Sequence, residues 1–215
     1  MRNLQTQPVA LALFFLALGG APAHSEDEKA GAVAPADVPA EVAAAIENLR
    51  SPDIKQRAQG IMSLRHMGRD RKADAAIPYL IRMLGSEAEF PVMVLMLSSR
   101  SQITQASSGE CTFGGEAAET LVRIGKPCDG LLGLLDSKDW RTKANAIRAI
   151  GGLKDRRAAD QLLAILDRKD EHLEVRGNAA LALGLLEDRG AVPSLLGALK
   201  DQSTLLRRAA AHALG

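Results

Sequence analysis

Two stretches near the C-terminus are close copies of each other. Val175-Arg176-Gly177-Asn178-Ala179-Ala180-Leu181-Ala182-Leu183-Gly184 recurs 31 residues later as Leu206-Arg207-Arg208-Ala209-Ala210-Ala211-His212-Ala213-Leu214-Gly215. Self-similarity at a period of about 20 to 50 residues marks supersecondary units that stack in a row. A unit of this length cannot bury its own apolar face, so each must lean on the next. The repeat therefore constrains the architecture before any local motif is considered.

The composition says what the units are made of. Aromatic residues are only 3% of the chain, and Leu and Ala carry the apolar content. Both favour helix, and hairpin signals are scarce. Each unit reads as a first helix, a tight turn and a second helix. In the unit from Asp170 to Lys200, Val175, Ala179 and Leu183 share one face of the first helix. Asp170 or a neighbour is expected to cap it. Glu187-Asp188-Arg189-Gly190 breaks that helix, and Val192, Leu195, Leu196 and Leu199 form the stripe of the second, with Pro193 in its first turn.

The preceding unit, 138–169, has Gly151 and Asp155 in register with Gly184 and Asp188. Its second-helix stripe is Ala159, Leu162, Leu163 and Leu166. Another unit combines Glu116–Gly125 with the stripe Cys128, Leu131, Leu132 and Leu135. The earliest begins at Ser51-Pro52-Asp53 and has Ile77, Leu80, Ile81 and Leu84. A short helix over Glu41–Leu49, with Val42, Ala45, Ile46 and Leu49 inward, is expected to cover the N-terminal end of the stack. Residues 86–115 interrupt the period with a long connector, which in a compact domain is more often functional or disordered than neutral. The last unit stops after its first helix, which reads either as the end of a piece of a longer repeat array, the favoured expectation, or as a C-terminal cap or dimer edge.

The string at 175–195, together with Glu116–Pro127, resembles HEAT-like repeats of the phycobilisome-lyase type. The resemblance is good over 113–215 and loose over 51–85. It implies an all-α fold, a right-handed α-α superhelix of the HEAT-like or armadillo-like kind with about four to five repeats. Relatives of that fold include bilin lyases, an iron-dependent hydroxylase and scaffold proteins. The resemblance also implies a ladder of charges between repeats, with Arg176 and Arg207 as its cations. Arg57 fits less cleanly, Lys143 stands in for Arg in one unit, and Asp155 and Asp188 are the candidate partners.

Other segments bear on location. Arg2, the apolar run Val9–Leu18 and Ala21-Pro22-Ala23 have the order of a secretory signal peptide, with cleavage expected after Ala23. The run is too short to span a bilayer. Residues 1–23 are thus an address, 24–39 an Ala/Pro-rich linker expected to be disordered, and 40–215 the repeat domain. The expected location is periplasmic or secreted, with no membrane insertion once the signal is removed. In such a compartment Cys111 and Cys128 are a candidate disulfide, although Cys128 also suits a small buried apolar position.

The chain carries 27 Lys and Arg against 26 Asp and Glu, a balance that argues against a nucleic-acid partner. Bases are concentrated over 51–85 and acids over 24–50, either as two solvated faces or as a basic docking patch. No catalytic constellation stands out. His24, His66, His172 and His212 are followed by Ser, Met, Leu and Ala, so the paired His-Glu ligands of the hydroxylase are missing. There is no nucleophile elbow, phosphate loop or zinc-type cysteine spacing. No catalytic, metal or cofactor residue is assigned. The expected role is a non-catalytic scaffold of the cell envelope that binds a protein or peptide, and the alternative is a lyase or chromophore-handling factor. The second helices would offer Tyr79, Arg82 and Gln161, beside the small residues Gly130, Gly133, Ala164 and Gly197, to a partner.

Overall fold

The computed structural model describes residues 38–68, 73–88 and 112–215, and these are helical with no strand among them. The expected signal peptide, nearly all of the linker, most of the long connector and Cys111 lie outside the described residues. The helices are α1 (Ala40–Arg50), α2 (Ile54–Met67), α3 (Ile77–Met83), α4 (Phe113–Ile124), α5 (Asp129–Gly133), α6 (Trp140–Leu153), α7 (Ala159–Asp167), α8 (Leu173–Leu185), α9 (Val192–Ala198) and α10 (Thr204–Leu214). Single 3-10 turns precede α3, α7 and α9, and one follows α5. They form stacked pairs, roughly five repeat units, in a HEAT- or armadillo-like solenoid.

First helices pack on first helices in chain order: α2 on α4, α4 on α6, α6 on α8 and α8 on α10. One continuous core runs through the stack between the two helix layers. Val42, Ala45, Ile46 and Leu49 of α1 are all buried, as their spacing predicts. Each buried Leu contributes roughly 1.5–3 kcal/mol, and for most of them the cover comes from the neighbouring unit.

Close packing depends on small residues where two first helices cross. A Cβ on Gly151 would lie 2.9 Å from both Cα and Cβ of Ala182. The equivalent Gly184 faces Ala213 in the same way. The repeat of Gly151 at Gly184 is thus a backbone-to-backbone contact, made once per unit.

Each first helix starts on a side-chain cap. Asp53, Thr112, Asp139, His172 and Ser203 accept from backbone N–H groups of the following turn. In the unit where Asp170 or a neighbour was expected to cap, the neighbour is His172, whose Nδ1 accepts from the Glu174 N–H at 3.3 Å.

Three local readings are corrected. The helix expected from Glu116 starts at Phe113, so Phe113, Gly114 and Gly115 belong to its first turn and not to the connector. Gly114 reads as a loop residue, yet a Cβ there would clash with the Leu84 carbonyl. The Phe113 N–H donates to the Ala88 carbonyl and the Gly114 N–H to the Ser86 carbonyl, so the two ends of the connector meet. The break after α8 falls on Glu187, at the start of the expected Glu187-Asp188-Arg189-Gly190 turn, and the break after α6 on Lys154, both left-handed at φ 54° and 55°. Finally, the stripe of α9 is only half inward. Leu195 is buried, but Val192 and Leu196 are 39% and 51% exposed. Their counterparts in α7, Ala159 and Leu163, are half-buried because α9 and its turn lie beside them.

Candidate functional site

Two features of the stack could carry function: the ridge of second helices and the charged joints between units. The ridge runs over α3, α5, α7 and α9. Tyr79 is half-buried and Arg82 exposed on α3, and Gln161 is exposed on α7. Between and beyond them Gly130, Gly133, Ala164 and Gly197 are exposed. A Cβ on Gly133 or Gly197 would meet nothing within 4 Å, so these positions face open space. Gly130 differs, since a Cβ there would touch the Ile81 side chain, which lets α5 approach α3. The ridge is a smooth strip with Tyr79 and Arg82 at one end.

Carboxylates border the strip. Asp129 and Asp160 stand in the first turns of α5 and α7, and Asp136 and Asp167 stand where these units end. Asp167 accepts from the Ser194 hydroxyl of the next unit at 3.0 Å. Arg157 links two units by donating to Asp129 at 2.7 Å and to both oxygens of Asp155. The hydrogen bonds from Arg157 hold the Asp155 carboxyl below the usual range.

The joints form a ladder, but with partners other than those expected. Lys143 of α6 reaches forward to Glu171, in the loop before α8, at 2.6 Å. Both side chains are nearly closed to solvent, at 10% and 11% exposure. Burial pushes the Glu171 carboxyl up, yet the hydrogen bonds from Lys143 and the His172 N–H outweigh it and hold the group below the usual range. One unit on, Arg176 of α8 is 7% exposed. It donates to the Leu166 carbonyl at 3.1 Å and to Asp201, in the loop before α10, at 3.3 Å. Arg207 donates to the carbonyls of Asp201 and Gln202 at 2.8 Å. Arg57 treats Ser51 and Pro52 alike and lies over the Phe113 ring at 5.4 Å.

Asp155 and Asp188 are not the partners of Arg176 and Arg207. Each folds back to accept from a backbone N–H two residues on, Arg157 or Gly190, and starts the 3-10 turn after it. A short Asx-type bond is made within the turn itself, so it needs no partner from another unit. Glu171 and Asp201 carried no repeat signal strong enough to be singled out, although both sit shortly before a first-helix N-cap.

Of the described bases in the stretch 51–85, Arg57 and Arg65 are engaged, and Lys55 and Arg82 are exposed. Arg57 is bound to carbonyls, and Arg65 pairs with Glu116 at 2.6 Å. Burial pushes the Glu116 carboxyl above the usual range despite that guanidinium. Arg69, Arg71 and Lys72 fall outside the described residues.

Cys128 is half-buried at the start of α5 and has no disulfide partner among the described residues. Since Cys111 lies outside them, the candidate pair is not described. Among the described residues no three or more His, Cys, Asp or Glu side chains are gathered as metal ligands would be. Nor is any helix there long and apolar enough to cross a membrane. The aromatic feature missed in sequence is a stack: the Trp140 ring lies on His172 with centroids 4.0 Å apart, and Arg141 stands 4.4 Å from the Trp140 centroid.

Comparison with known proteins agrees with the architecture. Residues 128–215 match the family of HEAT repeats. The fold is similar to a chain of the CpcE–CpcF complex of phycocyanin lyase from Nostoc sp., at TM-score 0.52 and 23% identity. That match covers 79% of this chain and 62% of the other, so this chain spans under two thirds of that relative's length. Human deoxyhypusine hydroxylase is similar at TM-score 0.42 and 16% identity, covering 80% of this chain and 83% of the other. A designed armadillo repeat protein in complex with a (KR)4 peptide is similar at TM-score 0.44 and 20% identity, covering 79% of each. No curated protein sequence matches.

Proposed function

Taking the chain as an all-α repeat protein of the HEAT and armadillo-like kind, we propose that it is a non-catalytic scaffold that binds a protein or peptide along its second helices. One observation carries this reading. The outward positions of the ridge are held by Gly133, Ala164 and Gly197, in unit after unit, with Gln161 beside them and Tyr79 and Arg82 at one end. Small side chains let another backbone come close, and Tyr and Arg are among the residue types enriched where interfaces are anchored. The signal-like order of residues 1–23 supports a location in the cell envelope.

The test is affinity capture with the full chain from the envelope fraction of its source cell. Gly133→Arg and Ala164→Arg fill the strip, and Tyr79→Ala with Arg82→Ala removes the anchor. Gly133, Ala164 and Arg82 face solvent, while Tyr79 packs partly on the core, so circular dichroism and the thermal midpoint check that each variant keeps its fold. Loss of one defined partner in both variants supports the scaffold. Unchanged capture, or a chromophore that purifies with the chain and absorbs visible light, supports the chromophore-handling alternative and removes this one.

A further inference from the structure

We propose that His172 makes the joint between α6, α8 and α10 sensitive to pH. His172 does three things at once. Its ring stacks on Trp140 of the preceding unit, 13° from parallel. Its Nδ1 accepts from the Glu174 N–H, which caps α8. Its backbone carbonyl accepts from the Arg176 N–H at 3.0 Å, the first backbone bond of that helix. The other first helices with a side-chain cap use Asp, Thr or Ser. Those caps keep an acceptor oxygen near neutrality, whereas histidine is the side chain that ordinarily titrates between about pH 5 and 8.

An acceptor Nδ1 fixes the neutral tautomer with hydrogen on Nε2. Protonation puts a hydrogen on both nitrogens. The Nδ1–H then faces the Glu174 N–H, and a ring flip restores nothing because Nε2–H is also a donor. The helix N-terminus disfavours the new positive charge as well. The charged groups around the ring carry both signs. They are Arg141 and Lys143 of α6, Arg168 and Glu171 between α7 and α8, and Glu174 of α8. Glu171 is already bound to Lys143 at 2.6 Å, with Arg168 3.9 Å away. The lost cap therefore decides the direction. The ring keeps its stack on Trp140, so the loop stays tied while the first turn of α8 loosens.

That turn carries Arg176, the residue that reaches back to the Leu166 carbonyl and forward to Asp201. Acidification thus weakens the link to two neighbouring units through one side chain. This inference does not rest on the scaffold reading, since it needs no partner.

The experiment is amide hydrogen exchange on the full chain at pH 7.5 and pH 5.0, corrected for intrinsic exchange. His172→Asn keeps an acceptor cap that does not titrate, and His172→Ser serves if the Asn variant folds poorly. The expected result is a loss of about five-fold in protection at the Arg176 amide of the unaltered chain at the lower pH, the size of one lost cap, with no loss in the variant. Trp140 is the only tryptophan, so its fluorescence should titrate over the same range in the unaltered chain alone. Equal protection at both pH values, or the same loss in His172→Asn, would overturn the proposal.

Discussion

Gly184 and Ala213 stand so close that a Cβ added to Gly184 would come 2.6 Å from the Ala213 Cα. That distance is set by backbone and not by a flexible side chain, so the contact has no room to adapt. It fixes how tightly α10 lies on α8. The same contact one unit earlier, between Gly151 and Ala182, does so for α8 on α6. The repeat of glycine at this position is a requirement of stacking.

Gly184→Ala should therefore lower stability, even though Ala is the better helix former by about 1 kcal/mol. The added methyl must push two helices apart, at about 1–3 kcal/mol. Thermal or urea unfolding of the variant checks this. A rise in the midpoint would show that the two helices can separate freely.

The Lys143–Glu171 pair gives a second test. Replacing either partner alone leaves a nearly buried charge without its counter-ion, and Lys143→Met or Glu171→Leu should each cost about 3 kcal/mol. Replacing both, as Lys143→Met with Glu171→Leu, should recover most of that loss. A double-mutant cycle in urea measures it. Additive losses in the double variant would mean that the two groups do not act as a pair.

The acid response of the same carboxyl has a definite sign. Its folded-state pKa is lowered, so its stabilisation is present above the unfolded value of about 4.3. It is lost as pH falls through the lower folded value. The stability gap between the unaltered chain and Glu171→Gln should be full at pH 6 and should close toward pH 3. A gap that stays constant over that range would contradict the lowered value.

Lys154 and Glu187 sit at equivalent helix ends with positive φ. The closing bonds are those of a Schellman turn: the Lys154 N–H to the Gly151 carbonyl and the Asp155 N–H to that of Ile150, with the same pair around Glu187. Glycine suits this conformation, and relief of a left-handed non-glycine residue is worth roughly 1 kcal/mol. Lys154→Gly and Glu187→Gly should each raise the thermal midpoint by about 2–4 °C. The salt bridge between these residues is long, at 3.8 Å, and exposed, so its loss offsets little.

What was legible in the sequence is local. The 31-residue echo, the apolar faces of α1 and α8, and the break after Leu186 follow from helix period and turn chemistry. Val42, Ala45, Ile46 and Leu49 are inward because a 3.6-residue period leaves them no other common face. Asp155 and Asp188 were legible as turn residues for the same reason.

Which side chains meet between units was decided only by tertiary structure. Arg176 takes Asp201 and the Leu166 carbonyl because stacking brings the loop before α10 and the end of α7 to its guanidinium. Nothing within α8 specifies that. Leu196 has the spacing of a core residue and is exposed, while Gly114 has the look of a loop and is buried in a helix. The Trp140–His172 stack joins residues 32 positions apart. Periodicity tells each helix which face to turn inward, but the depth of burial and the choice of partner depend on what the adjacent unit places there.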